Sequence, residues 1–279
     1  MKKILALIPL FIALSVSAQH IDYDRLDMDK QAQKVTAQLE LARNAANDSL
    51  RNVFAKNVDE ELNILLGMDD DHLYPYDNLN PISVLTAPDN KFRIFTWGLQ
   101  FSNGCYRYYG AVQINVHNDW VTLRLYDNSD ETSNPATASM QSTNWYGAIY
   151  YELIQLGGKK SNIYALVGWD GGDLFVNRKV MEQVRLELDN GGEIFFGGNF
   201  IDEHKRNCQR LIFEYTERAV MSLRYDKRMK LFVADHLVIP PEYNGNPKYS
   251  GPDGSFDGYM YQKGMWIYIP DLDFKGSRF

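Results

Sequence analysis

The sequence predicts a mainly β protein, an antiparallel meander closed as a sandwich, barrel or small propeller, preceded by a short α-helical N-terminal segment. Three observations lead there. Before residue 67, apolar residues recur at three- and four-residue steps. After residue 90, the pattern changes to β-branched and aromatic runs divided by Asn, Asp and Gly turn signals. No helical stretch of about 10–15 residues separates those runs, which argues against βαβ units.

The chain opens with Lys2 and Lys3, then an almost unbroken apolar run from Ile4 to Val16, then Val16-Ser17-Ala18 before polar Gln19. Basic start, apolar core and small-residue exit in that order are the signature of a secretory leader. Residues 1–18 are therefore expected to be a signal peptide, with the mature chain starting near Gln19. The run is shorter than the roughly 20 apolar residues a spanning helix needs. Later apolar stretches, such as Ile163 to Val167, are strand-sized, so no transmembrane segment is expected after the leader is removed. The expected address is periplasmic or extracellular.

Residues 19–67 read as a helical segment. Met28, Ala32, Val35, Leu39, Ala42, Ala46 and Val53 form one apolar stripe. Asn47-Asp48-Ser49 is placed to break the run and cap a second helix, and Asp59-Glu60-Glu61 to open a short third piece ending at Gly67. The stripe could serve a partner-binding coiled coil. Its Ala-rich, short seam better suits a helix packed on its own domain. Residues 68–90, with Asp69-Asp70-Asp71, Pro75, Pro81 and Pro88, read as a linker.

Residues 91–279 are expected to form the antiparallel β domain. Predicted strands are Phe92–Trp97, Tyr106–Val116, Trp120–Tyr126, Ile149–Leu156, Ile163–Trp169, Val180–Leu188, Glu193–Phe196, Leu211–Thr216, Val220–Tyr225, Leu231–His236, Tyr259–Gln262 and Met265–Ile269. Asp189-Asn190-Gly191-Gly192 and Lys263-Gly264 are hairpin turn signals. The polar stretch 127–144 reads as a long loop.

Charge narrows the partners. Loss of Lys2 and Lys3 lowers Lys+Arg from 29 to 27 against 36 Asp+Glu, moving the formal charge from −7 to −9. Phosphate backbones reward Lys and Arg, so nucleic acid is not an expected partner. Cys105 and Cys208 are the two cysteines. In an oxidising compartment they are a candidate disulfide, the alternative being two separate buried thiols.

Candidate sites are local and each has a plainer reading. Asp253-Gly254-Ser255-Phe256-Asp257-Gly258 matches the opening half of a calcium loop, with Asp253, Ser255 and Asp257 as oxygen donors. The twelfth position is Gly264 instead of Glu, and an Asp/Gly-rich loop before a hairpin is the preferred reading of the run. No other cofactor is expected. Asp235-His236 closes an apolar strand, and His72 lies by the acidic run; imidazole beside carboxylate suits acid–base work. Adjacent strand residues face opposite ways, however. Asp170 and Asp173, with Asp253 and Asp257, are candidate carboxylates for a hydrolase acting on glycans or peptides. The Trp and Tyr residues, among them Trp97, Trp120, Trp145, Trp169, Tyr106 and Tyr108, suit either sugar stacking or a β core. The sequence holds no G-x-S-x-G elbow, H-E-x-x-H, C-x-x-C or phosphate loop.

Several runs carry a resemblance. Lys91-Phe92-Arg93-Ile94-Phe95-Thr96-Trp97, Tyr164-Ala165-Leu166-Val167-Gly168-Trp169-Asp170, Asn177-Arg178-Lys179-Val180, and Asp235-His236-Leu237 with Tyr249 to Gly258 resemble a family of exported Bacteroidetes proteins of unknown function. The resemblance covers most of the chain after about residue 70. It implies an envelope location and carries over no catalytic residues. The expected function is a non-catalytic binding or structural protein with a glycan, peptide or envelope protein as partner. A secreted hydrolase is the alternative.

Overall fold

The computed structural model describes residues 23–273 except 69, 70, 190 and 203. The leader at 1–18 with its Gln19 junction, Asp69 and Asp70 of the acidic run, and Asn190 of the hairpin turn lie outside the described residues.

Helices α1 (Tyr23–Arg43) and α2 (Asp48–Leu65) form an antiparallel hairpin. Gln31 reaches Glu61 and Asn57 reaches Gln38 across it. Asn47 caps α2 as expected, its side chain accepting from Leu50 N at 2.9 Å, which satisfies an amide with no intrahelical partner. The stripe ends at Ala42, because the cap restarts the helical phase. Ala46 and Val53 are exposed, and α2 buries Ala55, Val58, Leu62 and Leu65 instead. The expected third piece does not exist. α2 runs unbroken through Asp59-Glu60-Glu61, with Asp59 paired to Arg124.

The first sheet is β1 (Ser83–Thr86), β2 (Phe92–Gln100), β3 (Tyr106–Val116) and β4 (Asp119–Tyr126), paired in chain order. β1 lies inside the expected linker 68–90. It pairs with β2, Ser83 opposite Thr96, so the sheet begins before residue 91. The second sheet holds β5 (Met140–Gln141), β6 (Ile149–Leu156), β7 (Ile163–Asp170), β8 (Val176–Glu187) and β9 (Glu193–Phe196), in the order β5-β9-β8-β7-β6. Short strands β10 (Phe200–Ile201) and β11 (Asn207–Cys208) enter the third sheet. β12 (Arg210–Thr216) returns to the second, beside β8. β13 (Leu223–Asp226), β14 (Leu231–Val238), β15 (Gly251–Gln262) and β16 (Met265–Ile269) complete the third. Strand pairing is antiparallel apart from β10 with β16. No sheet closes into a barrel.

Side-chain alternation turns these sheets into layers. In β2, Phe95, Trp97 and Leu99 pack on the helices, and Phe92 and Ile94 point the other way. In β7, Tyr164 and Leu166 meet the first sheet, and Ala165 and Val167 meet the third. The order is therefore helices, first sheet, second sheet, third sheet, with three apolar cores between them. A sheet buried on both faces needs apolar residues at successive positions, which is why β2 and β7 read as continuous apolar runs. Each fully buried Leu, Val or Phe contributes roughly 1.5–3 kcal/mol. A β-bulge at Tyr151 reverses the facing of β6 midway: Tyr150 and then Leu153 join the inner core, and Leu156 joins the outer one.

The helical hairpin is thus a layer of the same domain, covering one face of the first sheet. Cys105 and Cys208 are both free thiols. Cys105 sits at the β2–β3 turn of the first sheet and Cys208 in β11 of the third, with the second sheet between. In this arrangement the candidate pair is unbridged.

Candidate functional site

The cross-strand register of the second sheet lines up three charged side chains. Asp170 ends β7 opposite Arg178 of β8, and Arg178 lies opposite Glu214 of β12. Arg178 bonds both, Nη1 to Asp170 Oδ2 at 3.3 Å and Nε to Glu214 Oε1 at 2.8 Å. The row faces the first sheet at the open end of the inner core.

Asp170 is buried and has both oxygens occupied. Tyr108 OH (2.9 Å) and Gly172 N (2.7 Å) donate to Oδ1, and Tyr146 OH (2.8 Å) and Arg178 donate to Oδ2. Four donors fill the usual acceptor positions of a carboxylate. Tyr108 OH in turn accepts from Gly171 N at 2.7 Å. Glycines make this arrangement fit. A Cβ at Gly147 would lie 2.5 Å from the Tyr108 ring. Gly172 turns the chain at φ +53°, and a Cβ there would meet Val176 O at 2.2 Å. Burial, and then the neighbouring Asp170 charge, push the Tyr108 and Tyr146 hydroxyls well above the ordinary tyrosine range. Burial opposes the charge on Arg178, but Asp170 and Glu214 outweigh it and hold the guanidinium protonated.

Loop 127–139 closes the cleft from above. Asp127 anchors its start, accepting from Tyr108 N (3.0 Å), Gly147 N (3.2 Å) and Ser129 N (3.0 Å). Burial raises the pKa of Asp127, against the pull of those donors. Arg210, fully buried, holds the far end: it pairs with Glu182 and donates to the carbonyls of Pro135 and Ala138. The resulting cleft has a volume of about 350 Å³, with Tyr106, Ser129, Asp130, Asn134, Arg178 and Glu214 among its walls. Two further clefts adjoin it. One of about 490 Å³ lies between α2 and the first sheet and shares Tyr108, Ser129 and Asp130 with it. The other, of about 310 Å³, lies between the second and third sheets and shares Ala136, Ile212 and Glu214.

The other sequence candidates are dispersed. Asp173 does not line the cleft; it shapes the turn after Asp170, accepting from Phe175 N and Val176 N. Asp235 and His236 part, as strand alternation requires. Asp235 accepts from Ser222 N at 2.7 Å, while His236 Nδ1 lies 2.8 Å from Asp257 Oδ2 in β15. The run Asp253–Gly258 lies within β15, but Asp253-Gly254-Ser255 bulges out of register opposite Asp235–Leu237, with Gly254 at φ +91°. Asp253 accepts from the Ser255 amide and hydroxyl, and Asp257 faces His236. Among the described residues no cluster of three or more His, Cys, Asp or Glu is gathered for a metal ion. His72 stacks on Trp120 at 6.0 Å. Trp97, Trp145 and Trp266 are core residues; Tyr106 and Tyr108 are the aromatic candidates that reach the cleft, together with Tyr146.

No family model, curated protein or solved structure matches this chain. The site is therefore read from its geometry alone.

That geometry includes residues the sequence reading did not single out for the site: Arg178, Glu214, Asp130, Asn134 and the Arg210–Glu182 pair. They carry no motif, because they meet through register between strands far apart in the chain. A faint signal lay in the Tyr106-Arg107-Tyr108-Tyr109 cluster and in the long polar loop at 127–144.

Proposed function

We propose that the protein is an exported, non-catalytic binding protein and that the cleft beside Asp170 is its ligand site. The carrying observation is the occupancy of Asp170. A general acid or base needs a free position for the proton it moves. Asp170 instead receives four donors, and Arg178 ties it to Glu214. These carboxylates hold Arg178 and the tyrosines in place; they do not form an acid pair poised about a bond. Small planar polar groups around a half-buried Tyr106 suit recognition of a polar ligand. The leader at 1–18 and the resemblance to exported Bacteroidetes proteins support a periplasmic or extracellular location. Among the described residues no helix is long and apolar enough to cross a membrane.

The test is calorimetry of the mature protein against a panel of oligosaccharides and extended peptides, with parallel product analysis. Binding without turnover, lost in Arg178→Ala, is expected. Turnover of a panel member at this cleft would overturn the reading.

A second reading has one observation in its favour. His236 lies 2.8 Å from buried Asp257, the geometry of a base oriented by a carboxylate. On that reading a hydrolase centre sits on the third sheet, and His236→Gln abolishes turnover.

A further inference from the structure

The three adjoining clefts cross the whole stack. The first lies against α2 and the first sheet, the central one against the first and second sheets, and the last against the second and third. Each shares wall residues with the next. Packed sheets stand about 10 Å apart, so the passage from first to third sheet covers roughly 20 Å, more than one sugar ring or one amino acid fills.

The walls disfavour an anion. In the central cleft Asp130, Asp170 and Glu214 outnumber Arg178, and their negative excess repels acidic groups. Opposite charges also mix at both ends: Arg107 and Arg124 with Asp127 and Glu131 toward the helices, and Arg206 with Asp202 and Asp235 toward the third sheet. Groups without acidic charge that both donate and accept can use these paired walls. Arg178 donates from Nε to Glu214 Oε1 and from Nη1 to Asp170 Oδ2, which leaves Nη2 as a donor and Glu214 Oε2 as an acceptor. A hydroxyl uses one of each. Apolar wall residues of the central cleft are few, chiefly Ile212, Pro135 and Ala136, so there is little to hold peptide side chains. The half-buried Tyr106 ring supplies an apolar face, set edge-on to Trp169 at 5.2 Å.

We infer that the clefts form one furrow for a linear oligosaccharide free of acidic groups, several sugar units long. This rests on the binding reading above and adds the ligand class and its extended form.

The experiment titrates the mature chain with linear neutral glucan, xylan, mannan and galactan oligomers of one, two, four and six units. One of these series binds, and its hexamer binds roughly tenfold or more tightly than its dimer. Arg107→Ala and Arg206→Ala, exposed positions at the two ends, each remove part of that gain with length. Equal affinity for monomer and hexamer overturns the inference, as does absence of binding across the set. Extended peptides that bind and are released by Arg178→Ala would overturn the glycan assignment and leave the binding reading standing. Length-dependent glycan binding that survives Arg178→Ala would overturn the placement of the ligand at the Asp170 cleft, and the furrow with it.

Discussion

Arg210 and Glu182 face each other inside the second sheet, Nε to Oε2 at 2.8 Å, with neither side chain exposed. They are cross-strand neighbours in β12 and β8. Glu182 also accepts from Tyr150 OH, which in turn accepts from Trp145 Nε1 at 2.8 Å. Arg210 Nη1 donates to the loop carbonyls of Pro135 and Ala138, and Nη2 to Phe196 O of β9. The pair joins the packed interior to the loop that closes the cleft.

Breaking this pair strands a charge. Arg210→Met leaves Glu182 buried without its cation, and removal of one partner of such a pair costs about 3–5 kcal/mol. Chemical denaturation should show that loss. The double variant Arg210→Met with Glu182→Leu should recover part of it. Loop 127–139 stays cleavable in both variants, because Pro135 and Ala138 have lost their donor. A single variant as stable and protease-resistant as the parent would contradict the role given to Arg210.

Asp170→Asn keeps the shape and changes the donor pattern. One side of the new amide presents N–H groups either to Gly172 N or to Arg178, neither of which can accept. An unsatisfied buried polar group costs roughly 1–3 kcal/mol. A fall of that size in unfolding free energy, with loss of ligand binding, is expected. Stability within about 0.5 kcal/mol of the parent would show that the carboxylate is not needed there.

Alkaline pH should destabilise the fold through its tyrosines. Burial, followed by the charge of Asp170 or Glu182, raises the pKa of Tyr108, Tyr146 and Tyr150 in the folded state. Their folded values exceed the unfolded value of about 10. The stability they contribute is fully present below that pH. It falls as pH rises further, because the unfolded chain releases protons the folded one keeps. Urea midpoints should decline above about pH 10, and tyrosinate absorbance should rise with unfolding. A midpoint flat to pH 11 would contradict this.

The cysteines should behave as two unlike thiols. Cys105 is half-buried; Cys208 is buried, and desolvation pushes its thiol up to about 11. Alkylation of the native protein without reductant should label Cys105 first and Cys208 on unfolding. A mass gain on reduction alone would reveal a bridge and disprove the separation of the two sulfurs.

Much of the local structure is determined by the sequence. Tyr106–Val116, Ile149–Leu156, Glu193–Phe196 and Met265–Ile269 are strands with the bounds their β-branched and aromatic residues predict. Asn47 starts α2, and Lys263-Gly264 closes the last hairpin with both residues at positive φ, because caps and tight turns are decided by two to four adjacent residues. Asp253–Gly258 was harder to read. Its turn-rich composition suggests a loop; Phe256–Gly258 pair with β14, while Asp253-Gly254-Ser255 keeps a bulge with Gly254 at positive φ.

Tertiary structure alone decided the rest. Continuous apolar runs announce that β2 and β7 are buried, without saying what lies on each face. Only the stack of helices and three sheets answers that. Asp170 was visible as a loop carboxylate just past the predicted strand Ile163–Trp169; β7 in fact includes it. That it is enclosed by Tyr108, Tyr146, Gly172 and Arg178 follows from cross-strand register and from a ring brought in from 62 residues away. Register of that kind depends on which strands pair, a long-range choice no short stretch of sequence encodes.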